Sequence, residues 1–450
     1  MPVRELLPLP LIDLAAALPF PLYLVGGSVR DFLRGALQEK PDYDICSYGD
    51  EEVFMQTARA TGFTVKSVFR ATGTVKLADE RKNEYEFTRF RSDKYVRGMH
   101  RPSEVCFTND IALDAVRRDF CANAVYYDVK NARFVDPLGG MYDIERKILR
   151  TVASAKKVFG EDGLRLLRLA RIAAQTGFSP DEECLAGARE NAALIGDVVP
   201  ERIYAELNAL LHADEKAGDP SAPYRGLCIL RDTKVLHRIL PELTAGEGMA
   251  QRSDFHAHDV LEHSLRCVLY APPCIRWAAL LHDVGKPFCF LRDGNFYKHA
   301  EEGEPIARAI LARLKAPSRL KEETAALVRL HMRDHMQNMR VSKVRRELVA
   351  AYPLLDKLFA LKQADYSACK DDLSPAPAVV KWKTVLAEMK AEGAPLTLKD
   401  LAINGNDLHA LGTPPENTGT VLERLFAECV ADGTLNERKR LLRRARALTE

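Results

Sequence analysis

The 450-residue sequence predicts an α+β protein, with a small mixed sheet in an N-terminal head and helices in the rest. Short apolar runs alternate with helical segments over residues 1–150, which is typical of a mixed α and β domain. From about residue 151 the strand pattern nearly vanishes and helical periodicity takes over. The predicted strands are 22–25, 42–46, 63–68, 74–77, 85–90, 124–128 and 134–135.

The composition excludes several classes of protein. Hydrophobic residues make up 47% and charged residues 28%, an ordinary balance for a soluble globular chain. No apolar run approaches the ~18–20 residues of a membrane span. Asp13 and several prolines interrupt the N-terminal stretch, so we expect no signal peptide. The ten cysteines include no C-x-x-C pair, which favours reduced thiols and a cytoplasmic location over disulfides or zinc sites.

Chain length and loop composition predict the domain organisation. A prior of about 150 residues per domain suggests about three units. Glycine-rich residues 244–248 and the proline-containing segment 371–377 are candidate boundaries. We therefore predict a head at 1–150, a helical neck at 151–245, a second helical domain at 246–370 and a helical tail at 371–450.

A glycine pair follows the first predicted strand. Gly26 and Gly27 end the apolar run, and the predicted helix that follows has Arg30 in its first turn. Close backbone approach, free helix N–H groups and a guanidinium together favour a polyphosphate ligand. A glycine pair in this position also serves as a plain tight turn, so this signal alone leaves both interpretations open.

Two aspartates mark the second predicted strand. Asp42 and Asp44 are separated by one residue, so a strand places both carboxylates on one face. Paired carboxylates beside a phosphate loop suit Mg²⁺, which shares its ligands with substrate phosphates. A solvated strand edge is the alternative for the pair alone. The order and close spacing of the glycine and aspartate motifs predict nucleotidyl transfer.

Arginines recur in the predicted neck. Residues 161–171 read EDGLRLLRLAR, and helical spacing places Asp162, Arg165 and Arg168 on one side of a helix. Leu166, Leu169 and their neighbours can then pack elsewhere. Ion pairing on a solvated face explains the same spacing, and by itself it leaves the function open.

A second cluster lies in the predicted helical domain. Imidazoles and carboxylates together suit a divalent transition metal or a dinuclear site. Isolated histidines on apolar helices are also found as hydrogen-bonded core residues, which is the alternative here. The cluster residues are His263, His282, Asp283, His299, His331 and Asp365.

Several ordered motifs carry a family resemblance. GGSVRD at 26–31, DYD at 42–44, RRDFCANA at 117–124, EDGLRLLR at 161–168 and PERI at 200–203 resemble class II CCA-adding tRNA nucleotidyltransferases and the related bacterial poly(A) polymerases. The segment 396–408 is similar to the C-terminal segment of that family. Matching stretches thus run from about 22 to 445.

The resemblance implies roles for the site residues. Asp42 and Asp44 would bind the catalytic Mg²⁺ ions, with Glu86 as a candidate third carboxylate. The triphosphate would be held by Gly27, Arg30 and Arg118. Asp162 and Arg165 would read the incoming base, with Arg168 and Arg171 completing the pocket.

Base choice has a simple chemical reason in this scheme. Cytosine and adenine present an amino donor beside a ring-nitrogen acceptor, whereas uracil and guanine reverse that polarity. A carboxylate beside a guanidinium therefore admits C and A and mismatches U and G at two points. Two unpaired groups correspond to about 2–6 kcal/mol of discrimination.

Two further segments bear on the resemblance. Residues 91–102 resemble the family's flexible loop, which favours full C-C-A addition over addition of CC alone. Cys121 stands where the family usually has Thr or Ser, a departure that affects packing behind Arg118 and removes no metal ligand.

The histidine cluster carries a second resemblance. HDVGK at 282–286 and the ordered set around it resemble the HD phosphohydrolase superfamily. That resemblance implies a metal-dependent phosphatase or 2′,3′-cyclic phosphodiesterase activity able to trim damaged RNA 3′ ends. A vestigial fold without metal is the alternative.

The sequence thus predicts template-independent addition of C, C and A to tRNA from CTP and ATP, with no membrane association. Residues 81–102 carry seven Lys/Arg against three acids and residues 431–450 six against three, and such local basic patches suit phosphate backbones. Either patch alone is equally consistent with a solvated face. The alternatives for the whole chain are a poly(A) polymerase and a phosphohydrolase whose head only binds RNA.

Overall fold

The computed structural model describes residues 7–36, 42–94, 104–254 and 256–449. The chain divides into two compact units, Met1–Pro241 and Glu242–Glu450. Every strand of the described residues lies in the first unit, and the described part of the second unit is helical. The α+β class predicted from the sequence is confirmed.

The first unit is built on a seven-stranded mixed sheet. The strands of the chain are β1 (Tyr23–Val25), β2 (Tyr43–Ser47), β3 (Thr64–Phe69), β4 (Thr74–Ala78), β5 (Glu84–Arg89), β6 (Arg91–Lys94), β7 (Glu104–Phe107), β8 (Tyr126–Asp128), β9 (Arg133–Val135), β10 (Ile148–Leu149) and β11 (Ser179–Pro180). The large sheet has the order β3-β4-β5-β2-β1-β8-β9. Strands β2 and β5 are parallel, and its other pairs are antiparallel.

The seven strands of this sheet are the seven that the sequence predicts, with ends that agree within two residues. Runs of apolar or alternating side chains identify them, and this holds even for the edge strand β3, which has no buried residue. The antiparallel ribbon β6–β7 and the short pair β10–β11 were not predicted. Of the predicted flexible loop, Arg91–Lys94 forms β6, and residues 95–103 lie outside the described residues.

Aromatic stacking fixes the sheet against helix α3. Phe54 of α3 (Glu51–Ala60) stacks on Phe87 of β5, with ring centroids 3.8 Å apart and planes 11° apart. Tyr43 of β2 stacks on Tyr85 of β5 at 5.0 Å. Both rings of this second pair are buried. These contacts hold β2 and β5 in register, and the carboxylate motifs lie on these two strands.

Helices complete the first unit. They are α1 (Leu9–Ala17), α2 (Gly27–Leu33), α3, α4 (Ile111–Val116), α5 (Gly140–Arg146), α6 (Ala155–Glu161), α7 (Leu164–Thr176), α8 (Glu182–Asn191), α9 (Pro200–Leu211), α10 (Asp214–Ala217), α11 (Ala222–Asp232), α12 (Val235–Ile239) and α13 (Pro241–Thr244), which spans the boundary. Helix α7 packs on α9 and α11 and is almost entirely buried.

The second unit contains the remaining helices. They are α14 (Val260–Tyr270), α15 (Arg276–Leu281), α16 (Gly285–Asp293), α17 (His299–Arg313), α18 (Ser318–Leu330), α19 (Val341–Ala350), α20 (Leu355–Lys370), α21 (Pro377–Ala391), α22 (Gly405–Ala410), α23 (Pro415–Ala431) and α24 (Arg438–Thr449). Helices α14 and α20 pack together, as do α17 and α18. Within the described residues, no helix has the length and apolar character that crossing a bilayer requires.

The close approach of α16 and α17 depends on glycine. A Cβ atom on Gly285 would lie 2.1 Å from the carbonyl oxygen of His299, a distance that forces the backbone to move. We expect Gly285→Ala to lower the free energy of unfolding of the second unit by about 1–3 kcal/mol. Both tryptophans, Trp277 and Trp382, lie in that unit, so denaturation followed by tryptophan fluorescence measures it.

Gly419 offers a matched control in the same unit. It lies in the exposed middle of α23, and an added Cβ would meet no heavy atom within 4 Å. We expect Gly419→Ala to raise stability by up to about 1 kcal/mol, since alanine is the better helix former. Equal effects of the two substitutions would contradict the proposed close contact.

Candidate active sites

The turn after β1 brings the backbone against a carboxylate. Gly26 precedes α2 with φ of +81°, a conformation that residues with a side chain rarely adopt. A Cβ atom at Gly26 would lie 2.7 Å from Oδ2 of Asp44. Glycine is therefore required here for two reasons, and the motif read from the sequence places the turn directly beside the second aspartate.

The acidic residues form a row across the sheet. Asp44 of β2 is in register with Glu86 of the parallel strand β5, so both side chains project from the same face. Lys76 of β4 continues the row, and its Nζ lies 3.1 Å from Oε2 of Glu86. Asp42 immediately precedes β2 and faces the same cavity.

This cavity has a volume of about 490 Å³. Its lining combines the glycine turn, five carboxylates, three of them on β2 and β5, and several cations. The charged and polar lining residues include Gly27, Ser28, Arg30, Asp31, Asp42, Asp44, Lys66, Lys76, Glu84, Glu86, Asn123, Arg168, Arg171, Gln175 and Lys216. Acidic groups on one wall and cations around them match what a metal-bound triphosphate requires.

The carboxylate of Asp44 in this row has a raised pKa. Desolvation at the base of the cavity raises its pKa to about 6, although its side chain remains accessible from the cavity. Glu86 and Asp42 raise this pKa further, while Arg118 and Arg168 lower it. A divalent cation among these oxygens would relieve the repulsion, so the donor set fits Mg²⁺.

Arg30 is held rigidly at the cavity wall. Its Nε and Nη2 each donate to an oxygen of Asp31 at 3.0 Å, and Nη1 donates to Oδ1 of Asn123 at 2.7 Å. Burial lowers the pKa of Arg30, and Asp31 opposes that effect. Asp31 and Asn123 belong to the motifs GGSVRD and RRDFCANA, but their spacing alone does not predict that they position Arg30.

Two neck arginines also reach the cavity. Arg168 donates from Nε to Oδ2 of Asp119 at 2.8 Å, and Arg171 donates from Nε to Oε2 of Glu206 at 2.6 Å. Both lie on α7, three residues apart, so the helix presents them on neighbouring positions of one face. The head and the neck thus contribute to one cavity within the first unit.

Three predicted residues, Arg118, Asp162 and Arg165, lie outside the cavity lining. Arg118 donates to Asp114 at 3.0 Å and to the hydroxyl of Tyr126 at 3.1 Å. Buried Arg165 donates to the carbonyl oxygens of Val158 and Arg117. Their binding roles stay predictions.

The helical placement of Asp162 is wrong. Helix α7 begins at Leu164, and Asp162 has extended backbone and accepts from the N–H of Leu164 at 2.9 Å. Helix-starting residues such as Asp cannot be distinguished by spacing alone from residues inside the helix, because the periodic pattern continues through the cap.

The predicted histidine cluster is assembled in the second unit. His263, His282 and Asp283 form one group, and Asp283, His299 and His331 form another, each with ligand atoms within 4.8 Å. Asp365 joins the first group, with Oδ1 3.0 Å from Nε2 of His263. Residues from α14, α17 and α20 and from the segments after α15 and α18 therefore converge.

Asp283 lies between the two groups. Its Oδ2 lies 3.2 Å from Nε2 of His282, and its Oδ1 lies 3.2 Å from Nε2 of His299. A carboxylate with one oxygen directed at each group is suited to bridge two metal ions. A third metal-competent group, His256, His263 and Cys369, also lies in the second unit.

Backbone carbonyls set the orientation of three imidazoles. Nδ1 of His282, His299 and His331 lies 2.6–2.8 Å from the carbonyl oxygen three residues earlier. These bonds assign the proton to Nδ1, so Nε2 carries a lone pair. Nε2 of His299 faces Nε2 of His331 at 3.3 Å, and two lone pairs at that distance call for a cation. The geometry fits metal ligands held by an outer shell.

The pKa values of His331 and His282 are shifted in opposite directions. Burial lowers the pKa of His331 to about 4, which keeps it neutral as a ligand must be. Burial also disfavours charge on His282, but the Asp283 carboxylate holds the pKa of His282 well above its ordinary value. Lys286 adds a cation, with Nζ 2.6 Å from Oδ2 of Asp283.

A pocket of about 440 Å³ adjoins this cluster. His331 and Asp365 of the cluster form part of its wall, beside the cations Lys286 and Lys362 and the aromatic side chains of Phe296 and Tyr366. A metal-bound phosphoester would thus find cations and apolar surface within reach.

Comparisons with known proteins match most of the chain. Residues 22–150 match the model of the Poly A polymerase head domain, residues 177–246 that of the probable RNA and SrmB-binding site of polymerase A, and residues 260–368 that of the HD domain. Nucleotidyltransferase heads and HD domains typically use divalent metals, and both donor sets described above are consistent with that chemistry.

Curated relatives extend over most of the sequence. The A-adding tRNA nucleotidyltransferase of Deinococcus radiodurans is 33% identical over 441 residues, covering 92% of this chain and 93% of the relative. The Multifunctional CCA protein of Legionella pneumophila is 30% identical over 388 residues, covering 82% of this chain and 89% of the relative.

Solved structures share the fold. The Bacillus stearothermophilus CCA-adding enzyme in complex with CTP superposes with a TM-score of 0.65 at 24% identity, covering 98% of each chain. The Thermotoga maritima CCA-adding enzyme complexed with tRNA superposes with a TM-score of 0.63 at 18% identity, covering 98% of this chain and 94% of that one.

The histidine cluster makes a testable prediction. We expect Mn²⁺ to raise the unfolding midpoint of the second unit, since an ion at 100 times its dissociation constant adds about 2.7 kcal/mol to stability. His299→Gln removes a ligand of one group and should reduce the shift. Thermal unfolding of chelator-treated protein, followed by tryptophan fluorescence, measures it.

His335→Gln is the matched control, because His335 lines the adjoining pocket and belongs to none of the three metal-competent groups. Its Mn²⁺ response should equal that of the unmodified chain. An unchanged Mn²⁺ response in His299→Gln would exclude the proposed ligand.

Proposed function

This chain belongs to the family of class II CCA-adding tRNA nucleotidyltransferases, and we propose that it adds C, C and A in turn to the tRNA 3′ end from CTP and ATP. The observation that supports the chemistry is the carboxylate row of Asp44 and Glu86 beside the Gly26 turn. A cavity of about 490 Å³ at this row accommodates a nucleotide.

We assign metal binding to Asp42, Asp44 and Glu86. Mg²⁺ bound there would stabilise the attacking 3′-oxygen and the pyrophosphate that leaves the α-phosphate. Asp44 serves as a ligand in its deprotonated form, which a nearby cation favours. Gly26 permits the close approach of backbone and carboxylate that keeps this oxygen directed into the cavity.

The cations of the cavity would orient the triphosphate. Arg30 has fixed geometry because Asp31 and Asn123 bind three of its nitrogens, so little conformational entropy is lost when phosphate binds. Arg168 and Arg171 approach from α7 and would contact the nucleotide from the neck. The triphosphate role of Arg118 and the base-reading roles of Asp162 and Arg165 rest on the family motif.

We further assign tRNA binding to the helical tail, residues 371–450. In α24, Leu441 and Ala445 are buried against α23, while Arg443 and Arg444 are exposed, Arg444 in an ion pair with Glu428. One face of the helix therefore anchors it and the other offers guanidinium groups to a phosphate backbone. The remaining assignments are the head at 1–150, the neck at 151–245 and the metal phosphohydrolase domain at 246–370.

A second candidate function has specific support. The relative that this chain matches over 93% of the relative's length is named an A-adding tRNA nucleotidyltransferase. Addition of the terminal A alone is therefore the main alternative. A poly(A) polymerase is the other, because it shares the head model. The three differ in which nucleotide they add and where they stop.

Tailing of defined tRNAs distinguishes these functions. On tRNA that lacks its last three nucleotides, with all four nucleoside triphosphates present, we expect two C and one A and then arrest. CTP alone should give two additions. On tRNA ending in CC, ATP alone should give one addition. The products are resolved on sequencing gels.

Other outcomes assign the chain elsewhere. Extension of the CC-ending tRNA alone would identify an A-adding enzyme. Addition of a long A tract would identify a poly(A) polymerase. Cyclic phosphate hydrolysis without any incorporation would support the phosphohydrolase alternative.

We also propose that the second unit is a metal-dependent phosphohydrolase acting on phosphomonoesters or 2′,3′-cyclic phosphates. The support is the bridging position of Asp283 and the adjoining pocket with Lys286. A divalent transition metal suits its imidazole and carboxylate donors. Damaged RNA ends could then be restored to a 3′-hydroxyl before nucleotide addition.

Paired variants separate the two activities. Asp44→Asn should lower nucleotide incorporation by about 10²–10⁴-fold, since a metal ligand contributes several kcal/mol to the transition state, and leave cyclic phosphate hydrolysis unchanged. His299→Gln should have the opposite effect. Single-turnover incorporation and the hydrolysis of 2′,3′-cyclic AMP to adenosine 2′-monophosphate, which leaves a free 3′-hydroxyl, measure the two reactions.

Glu80→Gln is the control in the head, because Glu80 is an exposed residue after β4. Its incorporation rate should match that of the unmodified chain. If incorporation survives in Asp44→Asn, the metal assignment is wrong.

A further inference from the structure

A third group of ligand-type side chains adjoins the histidine cluster. One ring nitrogen each of His256 and His263 and the Sγ of Cys369 lie within 4.8 Å of one another. The rings of His256 and His263 meet edge to face, with centroids 4.9 Å apart. Cys369 lies four residues after Asp365 on α20, so both side chains project from the same side of that helix.

Two nitrogens in this group have no hydrogen-bond partner among the described residues. His263 is fully buried, and its Nε2 already faces His282 and Asp365 at 3.2 and 3.0 Å. Its Nδ1 is buried, and within the described part of the chain neither this atom nor Nδ1 of His256 has a hydrogen-bond partner. Buried polar atoms without a partner are rare in proteins and point to an ion or a ligand.

We propose that His256, His263 and Cys369 bind a thiophilic divalent metal ion such as zinc, at a position separate from the two groups that share Asp283. Two imidazole nitrogens and a thiolate are the donors that zinc prefers and Mg²⁺ avoids. Binding forms a metal–sulfur bond and releases the thiol proton of Cys369 to solvent. With the first group empty, the ring proton of His263 stays on Nε2 and Nδ1 binds the metal; with a metal also on Nε2, that ring proton is released to solvent and the ring bridges the two ions as an imidazolate.

The proposed site has an open ligand position beside a pocket. Three protein ligands leave the fourth tetrahedral position open, as in catalytic zinc sites. His256 and Cys369 also line the pocket of about 440 Å³ beside the cluster. The open position therefore faces the space that a phosphoester would occupy, and the shared ring of His263 couples this site to the first cluster group.

The competing explanation is an outer-shell contact. In that arrangement a metal on Nε2 of His263 leaves a proton on Nδ1, which points at His256 or Cys369 without a metal there. The thiol then stays protonated. Metal–thiolate bonding is present in the proposed site and missing in the outer-shell arrangement, so it distinguishes the two.

Cobalt(II) reports on thiolate bonding. We expect the chelator-treated full chain to develop a thiolate-to-cobalt charge-transfer absorption in the near ultraviolet on titration with Co²⁺. Cys369→Ser should abolish this absorption. His256→Gln should raise the Co²⁺ concentration at which the absorption reaches half its maximum by at least about tenfold. His299→Gln, which belongs to another group, should retain it.

Cys267→Ser is the matched control, because Cys267 is buried beside His282 and is the nearest competing thiol of the cluster. It should keep the absorption. An unmodified chain that shows no charge transfer, or a band that depends on Cys267 and survives in Cys369→Ser, overturns the proposal.

A measurement on the unmodified chain serves if a variant fails to fold. Zinc should slow alkylation of Cys369 at least about tenfold while exposed Cys274 reacts at an unchanged rate, as measured by mass spectrometry of the digested protein. Equal alkylation of Cys369 with and without zinc overturns the proposal. Neither result depends on whether the second unit hydrolyses phosphoesters.

Discussion

The contact between the Gly26 turn and the Asp44 carboxylate is the constraint on which the head depends. The turn leaves no room for a Cβ, so the carboxylate lies against the backbone at the start of α2. Parallel pairing of β2 and β5 then places Glu86 beside it, and the pKa of Asp44 is raised to about 6, mainly by desolvation and further by repulsion from Glu86 and Asp42. The scaffold thus holds together acidic groups that a divalent cation stabilises.

The second unit applies the same principle with nitrogen donors. Backbone carbonyls fix Nδ1 of three histidines, which directs their lone pairs toward Asp283 and toward each other. The free energy that would be lost to facing lone pairs is recovered when a metal binds. In both units the fold therefore holds mutually repelling donor atoms close together, and a bound cation would relieve that repulsion. The donors are oxygens in the head and mainly nitrogens in the second unit.

The arginines show how scaffold and site share residues. Arg30 and Arg168 line the cavity and are also bound to Asp31 and Asp119, so the same carboxylates that hold the fold also orient the guanidiniums. Arg165 and Arg118 belong to the same motifs but lie outside the cavity lining. Arg165 donates to backbone carbonyl oxygens, and Arg118 donates to Asp114 and Tyr126. A basic residue in a motif can thus serve structure or ligand.

The sequence by itself determined the seven-stranded sheet, the helical remainder, the glycine turn with its two aspartates and the membership of the histidine cluster. Periodicity and short-range chemistry specify these features, because they depend on neighbours within a few residues. Tertiary structure alone decided that Glu86 lies in register with Asp44, that two groups share Asp283 and that His256 and Cys369 join His263. These pairings join residues up to about a hundred positions apart, and chain packing rather than local pattern sets such distances.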